Sequence, residues 1–191
     1  MRAAALYLAL AHHPVLNKRL EVITSSVTNL DIHDIARAAR TFEVDGFLLL
    51  HPLPAQRELV MRILSYWQRG GGAAYNPDRS EAFERLHLLA SLEEARAWVR
   101  EASGADPLVV VTDARPYPNS IGYAEMRRRL QEPGSSYLLV FGTGWGLAPE
   151  VMAAADLVLE PIAAVGTYNH LSVRSAVAII LDRLLSDPAS R

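Results

Sequence analysis

A chain of 191 residues is long enough for one domain with a substantial core, and 50% hydrophobic with 21% charged residues is not the composition of a disordered chain. The net charge of −2 offers no global attraction to nucleic acid. The lack of cysteine excludes disulfides, thiolate zinc sites and a cysteine nucleophile, and agrees with a cytoplasmic location. No apolar run approaches the ~18 residues needed to cross a bilayer.

In chain order, "ALYLAL" (5–10) reads as a first buried strand and not as a secretory leader, whose basic flank would here be Arg2 alone. "TNLDIHDIARAARTF" then reads as a helix. Thr28 stands at the N-cap, Asp31 takes the capping-box position three residues later, and Ile32, Ile35, Ala36, Ala39 and Phe42 recur at helical spacing. His33, Arg37 and Arg40 share its polar side, which suits a solvated face as well as a ligand contact. "GFLLLH" (46–51) is a second strand, and Pro54 opens a helix in the first turn, where proline is tolerated. "RGGGAAYNPDR" (69–79) reads as a surface loop. "LHLLA" (86–90) is a strand, followed by a helix with Ser91 and Glu94 as a capping box and Gly104 as its stop. "PLVVVT" (107–112), "YLLVFG" (137–142) and "DLVLEP" (156–161) complete six strands. All are continuously apolar, as strands buried on both faces are. The predicted fold is therefore α/β, a mostly parallel sheet with helices on both faces, whose ligands bind beyond the C-terminal strand ends.

Three segments at those ends carry chemistry. "LLVFGTGWGLAPEV" (138–151) runs a buried strand into Gly142, Gly144 and Gly146, where backbone can approach a ligand or simply turn. The dinucleotide fingerprint G-x-G-x-x-G fails at Leu147, and no P-loop or nucleophile elbow is present. Glu160 at the end of the next strand keeps a nucleotide- or nicotinamide-dependent oxidoreductase open as an alternative. The last helix, "YNHLSVRSAVAIILDRLL" (168–185), is apolar on nearly every side yet opens with polar residues, of which Asn169 or Ser172 can cap it. No His–carboxylate set has metal spacing, so no metal is expected.

"DIHDIARAARTFEVDGFLLLHP", "LLVFGTGWGLAPE" and "LEPIAAVGTYNHLSVRSAVAIIL" together resemble the three motifs of the SPOUT superfamily of RNA methyltransferases. The wording is most similar to a little-characterised bacterial branch of methyltransferases dependent on S-adenosylmethionine (SAM). The resemblance spans nearly the whole chain. It implies a single SPOUT-like domain over residues 1–191, a deep C-terminal trefoil knot, SAM as cofactor, an RNA substrate and a homodimer built on the last helix. Three knot loops would hold SAM: Thr112 and Asp113 in the first; Gly142, Thr143, Gly144, Trp145, Gly146 and Leu147 in the second; Ile162, Tyr168, Asn169, Leu171, Ser172 and Val173 in the third. Leu147, Ile162, Leu171 and Val173 would form its apolar walls. Arg37 matches the motif arginine that approaches RNA or the reacting base. Asp31 and His33 stand where ribose-methylating members carry Asn and Gly, and Gly144-Trp145 stand where those members carry a Glu-bearing loop. These departures point to a base as methyl acceptor, with Asp31, His33 and Asp113 as candidate proton acceptors. Arg37, Arg40, Arg127, Arg128 and Arg129 are the candidate RNA-binding cations, the last three in the dense run "MRRRL". A non-catalytic RNA-binding relative of the same fold is the remaining alternative.

Overall fold

The computed structural model describes residues 2–186; Met1 and residues 187–191, which the single-domain expectation includes, lie outside the described residues. In chain order the elements are β1 (Ala5–Ala11), β2 (Val15–Leu16), β3 (Val22–Ile23), α1 (Asn29–Thr41), β4 (Gly46–Leu50), α2 (Pro54–Arg69), α3 (Gly71–Tyr75), α4 (Pro77–Ala82), β5 (Leu86–Leu89) and α5 (Leu92–Ser103). They continue with β6 (Leu108–Val111), β7 (Ser120–Ile121), α6 (Tyr123–Arg129), β8 (Ser136–Gly142), α7 (Pro149–Ala153), β9 (Leu157–Leu159) and α8 (Val173–Leu185).

Seven strands form one sheet in the order β5-β4-β1-β8-β6-β9-β7, and every pairing in it is parallel. The continuous apolar runs have a direct cause. Along β1, Leu6, Leu8 and Leu10 enter a core shared with α1, α4, α6 and α8, while Tyr7, Ala9 and Ala11 enter a second core beneath α5 and α7. Successive side chains leave a strand on opposite faces, so a strand covered twice needs no polar residue. All six expected strands are present. The short edge strand β7 and the antiparallel hairpin β2–β3 are additional, each strand being only two residues long and below what periodicity resolves.

The helix ends follow their local chemistry. Thr28 Oγ1 accepts the Asp31 N–H at 3.2 Å, and Ser91 Oγ accepts that of Glu94 at 3.2 Å. Gly104 ends α5 in the left-handed region at φ 73°. The stretch 69–79 is not a loop, contrary to the reading of its composition. Asn76 caps α4 by accepting the Arg79 N–H at 3.0 Å, and Pro77 supplies a preset φ at the first helical position. Gly72 lies against Trp67 so closely that a Cβ would come within 2.6 Å of the indole. Among the described residues no helix is long and apolar enough to cross a membrane.

Candidate active site

The C-terminal ends of β1, β6, β8 and β9 open onto a cavity of about 890 Å³, within the range of small-molecule sites. Its walls come from chain segments far apart in sequence: Thr112–Arg115 after β6, Gly142–Gly146 after β8, Ile162 and Asn169–Val173 after β9, and Leu20, Ser25, Ser26, Thr28 and Asp31 between β1 and α1. Phe141, Ile162, Leu171, Val173 and Ile180 supply apolar surface. The Asn169 amide donates to the Ala114 carbonyl at 3.2 Å, tying the third loop to the first. Ser172, not Asn169, caps α8: its Oγ accepts the Ser175 N–H at 3.2 Å. Both α1 and α8 thus begin at the cavity.

Asp31 is the acidic group of that junction. Its side chain is 7% exposed; Oδ1 accepts from Arg174 at 3.1 Å and Oδ2 from the Thr28 hydroxyl at 2.5 Å. Arg174, in the first turn of α8, also reaches Asp34 at 3.2 Å, so one guanidinium joins the starts of both helices. Asp113 is held differently. Burial raises its carboxyl, but Arg115, through side chain and backbone N–H, and the Tyr117 hydroxyl at 3.0 Å outweigh that and leave it below the usual carboxylate range.

A third polar group lines the wall beside Asp31. The Ser25 hydroxyl lies 2.5 Å from Thr143 Oγ1 and 3.0 Å from His12 Nδ1, and the Thr143 hydroxyl reaches the Ala11 carbonyl at 3.3 Å. His12 is fully buried, its Nε2 has no partner among the described residues, and burial lowers its pKa to about 4, with His51 adding to the effect and Asp31 opposing it. His12 is therefore a neutral imidazole at physiological pH. The His51 Nε2 lies 3.0 Å from the Ser25 carbonyl on the other side of the same segment.

The structure brings together Asp31, Thr112, Asp113, Gly142, Thr143, Gly144, Trp145, Gly146, Ile162, Asn169, Leu171, Ser172 and Val173. It places four other expected residues off the cavity. Leu147 is fully buried in the core under α7, because Gly146 at φ 100° turns the chain inward and Leu147 pairs with Val15. Tyr168 is 76% exposed, its ring against His170. His33 is packed between Trp67 and Phe83, with ring centroids at 5.3 and 4.9 Å, and burial lowers its pKa. Arg37 is exposed and lies ~9 Å along α1 from Asp31, six residues at 1.5 Å each. The expected basic run is also displaced. Leu130, just after it, accepts the N–H groups of Ala3 and Ala4 ahead of β1, at the N-terminal ends of the strands, opposite the cavity. Arg128 pairs with Glu125 and Glu132, Arg129 with Glu125, and Arg40 with Glu43 and Glu81. Ser25 and Leu20 carry no sequence signal; only Thr28 and Asp31, recognisable as a cap and its capping-box partner, marked this segment.

Comparison with known proteins places this arrangement. The profile of a family described as SAM-dependent RNA methyltransferase matches residues 5–186. An uncharacterised protein of Aquifex aeolicus is 43% identical over 94% of this chain and 88% of its own. A tRNA (guanine-N(1)-)-methyltransferase of Oleidesulfovibrio alaskensis is 43% identical over 95% of this chain, which spans only 42% of that relative. Two solved structures share the fold. The SpoU methyltransferase AviRb of Streptomyces viridochromogenes, in complex with AdoMet, has TM-score 0.60 at 16% identity over 97% of this chain and 58% of its own. A structure described as giving insights into the 2-OH methylation of C/U34 on tRNA has TM-score 0.58 at 19% identity over 99% of both chains. The parallel α/β fold is thus shared with solved methyltransferase structures, and the chain belongs to the SAM-dependent RNA methyltransferase family.

Proposed function

We propose that this enzyme methylates a nucleobase nitrogen of its RNA substrate, with Asp31 as proton acceptor. The observation that carries the reading is the convergence of three loops and a buried carboxylate on one cavity. The cavity's chemistry fits SAM: Phe141, Ile162, Leu171 and Val173 offer apolar faces for an adenine, and the loops at Thr112–Arg115 and Gly142–Gly146 offer backbone N–H and C=O groups for its edges. Bound SAM supplies an electrophilic methyl group on a sulfonium. The chain's own contribution is to hold the acceptor in line, exclude water and take a proton. Asp31 is suited to taking the proton, because each of its oxygens accepts one hydrogen bond and retains a lone pair, and Arg174 orients the carboxylate. A ribose hydroxyl would call for a stronger base than a partly neutralised carboxylate, and Asp31 stands where the ribose-methylating motif has Asn.

Single-turnover transfer of labelled methyl from SAM to total tRNA, followed by nucleoside mass spectrometry, tests this. The expected product is a base-methylated nucleoside, lost in Asp31→Asn; label on ribose alone would overturn the proposal. The same reading treats residues 1–191 as one domain working in the cytoplasm, where SAM and RNA meet, with the segment from β9 to α8 threaded as a trefoil knot. The tie between Asn169 and Ala114 supports that threading. A homodimer is supported by α8, which buries Val177, Ile180, Leu181 and Leu184 within its own chain but leaves Ala178 exposed and Ile179 and Leu185 half-buried. Light scattering at micromolar concentration should give twice the 21.0 kDa chain mass.

A further inference from the structure

The turn "NKRLE" (17–21) joins β2 to β3, and one side chain holds it. Asn17 Oδ1 accepts the N–H of Arg19 at 2.8 Å and of Glu21 at 3.0 Å, while its Nδ2 donates to Glu21 Oε2 at 2.7 Å. The Leu20 N–H returns to the Asn17 carbonyl at 2.9 Å. These bonds set Leu20 at φ 63°, left-handed backbone that a leucine rarely adopts. Its side chain is 62% exposed and yet lines the cavity.

The hairpin is fastened to the glycine loop. The Leu16 N–H donates to the Gly146 carbonyl at 2.9 Å, the Trp145 N–H to the Leu16 carbonyl at 2.8 Å, and Val15 bridges to Leu147. A Cβ on Gly144 would lie 2.7 Å from the Leu16 oxygen, so the glycine there admits the hairpin. Two cations stand at its tip. Lys18, the sole lysine of the sequence, and Arg19 are both exposed, and neither forms an ion pair among the described residues. By contrast, Arg40, Arg128 and Arg129 are neutralised by carboxylates away from the cavity.

We propose that this hairpin is an RNA-docking prong: Lys18 and Arg19 take backbone phosphates flanking the target nucleotide, and Leu20 packs over the base inserted in the cavity. It rests on the chain's being an RNA methyltransferase and adds where the RNA is gripped. A net charge of −2 requires that phosphate binding be local, and unpaired cations on a rigid turn at the cavity mouth meet that requirement. Being bonded to the glycine loop, the prong would hold phosphates at a fixed offset from the reacting base.

Filter binding of labelled total tRNA over a salt series tests the proposal, with SAM affinity measured in parallel by calorimetry. Lys18→Ala/Arg19→Ala should weaken RNA binding at least tenfold and flatten the plot of log affinity against log salt by roughly 1.5 to 2, the slope carried by two phosphate contacts. SAM affinity and melting temperature should not move. Arg96→Ala/Arg100→Ala removes as much charge beside Asp106, ahead of β6 at the N-terminal ends of the strands, and should leave the slope as it is. Asn17→Ala keeps both cations but frees the turn, and should raise the KM for RNA more than it lowers kcat. A double variant with the wild-type salt slope would overturn the prong alone. Wild-type protein that binds SAM but neither binds nor methylates RNA would overturn the RNA reading, and the prong with it.

Discussion

The buried histidine beside the cavity makes the stability of this protein depend on mild acid. His12 is fully buried with a pKa near 4, against 6.5 for a free imidazole. The unfolded chain therefore takes up a proton over a range in which the folded chain refuses it. The contribution of the neutral imidazole is fully present above about pH 6.5 and is lost as the pH falls toward 4. At about 1.4 kcal/mol per pH unit, the loss is on the order of 1.4 kcal/mol by pH 5.5 and about 3 kcal/mol by pH 4. Burial also lowers His33, His51 and His87, so acid weakens the fold at several places together. His12→Asn isolates one of them: the amide can still hydrogen-bond Ser25 but does not titrate. In urea unfolding at pH 7 and 5.5, the wild type should lose about 1.4 kcal/mol more than His12→Asn, the other histidines cancelling in the difference. Equal losses would mean that His12 is protonated in the folded protein, and the neutral partner assigned to Ser25 would be wrong.

Gly144→Ala should lower stability by about 1–3 kcal/mol, from the left-handed φ of 62° and a Cβ 2.7 Å from the Leu16 carbonyl, and an unchanged melting curve would refute the contact. Arg174→Ala should cost about 1–3 kcal/mol in urea unfolding, because Asp31 loses its cation while staying buried; Arg174→Lys should restore part of it. Arg37→Ala should leave melting and SAM affinity within about 0.5 kcal/mol, since Arg37 is exposed and off the cavity wall. If its motif role holds, methyl transfer falls by about 10²-fold in that variant; undiminished turnover in a single-turnover assay would leave Arg37 a solvated helix residue.

The sheet was legible in the sequence because covering both faces forces a simple pattern, a run of apolar residues with a helix after it. The hairpin β2–β3 and the edge strand β7 were not, since strands of two residues show no pattern, and helices α3 and α4 were hidden by the glycines and proline of "RGGGAAYNPDR", a composition that reads as loop. The cavity divides the same way. Its loops after β6, β8 and β9 follow strands that announce themselves, and glycines or a helix cap mark two of them. Ser25 and Leu20 sit in "LNKRLEVITSSV", where neither helical nor strand spacing is visible, and their relation to Thr143 and the glycine loop exists only in three dimensions. Leu147 misled for a related reason: composition shows that a residue is apolar, whereas the φ of the glycine before it decides into which space it turns. The "MRRRL" run misled because α6 leads into β8, so its last turn lies at the N-terminal ends of the strands, away from a site at their C-terminal ends.

The polar opening of an otherwise apolar last helix follows from where α8 begins. An apolar first turn would suffice to bury Val177, Ile180, Leu181 and Leu184, but it would leave the loop from β9 unattached above the cavity. Instead Asn169 bonds the loop to Ala114, Ser172 closes the helix start on Ser175, and Arg174 clamps α8 to Asp31 and Asp34 of α1. The loop is thereby fixed at one end to the segment after β6 and at the other to α1. Thr28 and Asp31 on that helix face the same space as Leu171 and Val173. The carboxylate proposed to take the substrate proton is thus also the anchor of the loop proposed to hold the cofactor. Removing its charge would disturb both functions, so Asp31→Asn has to be read through SAM affinity and methyl transfer measured separately.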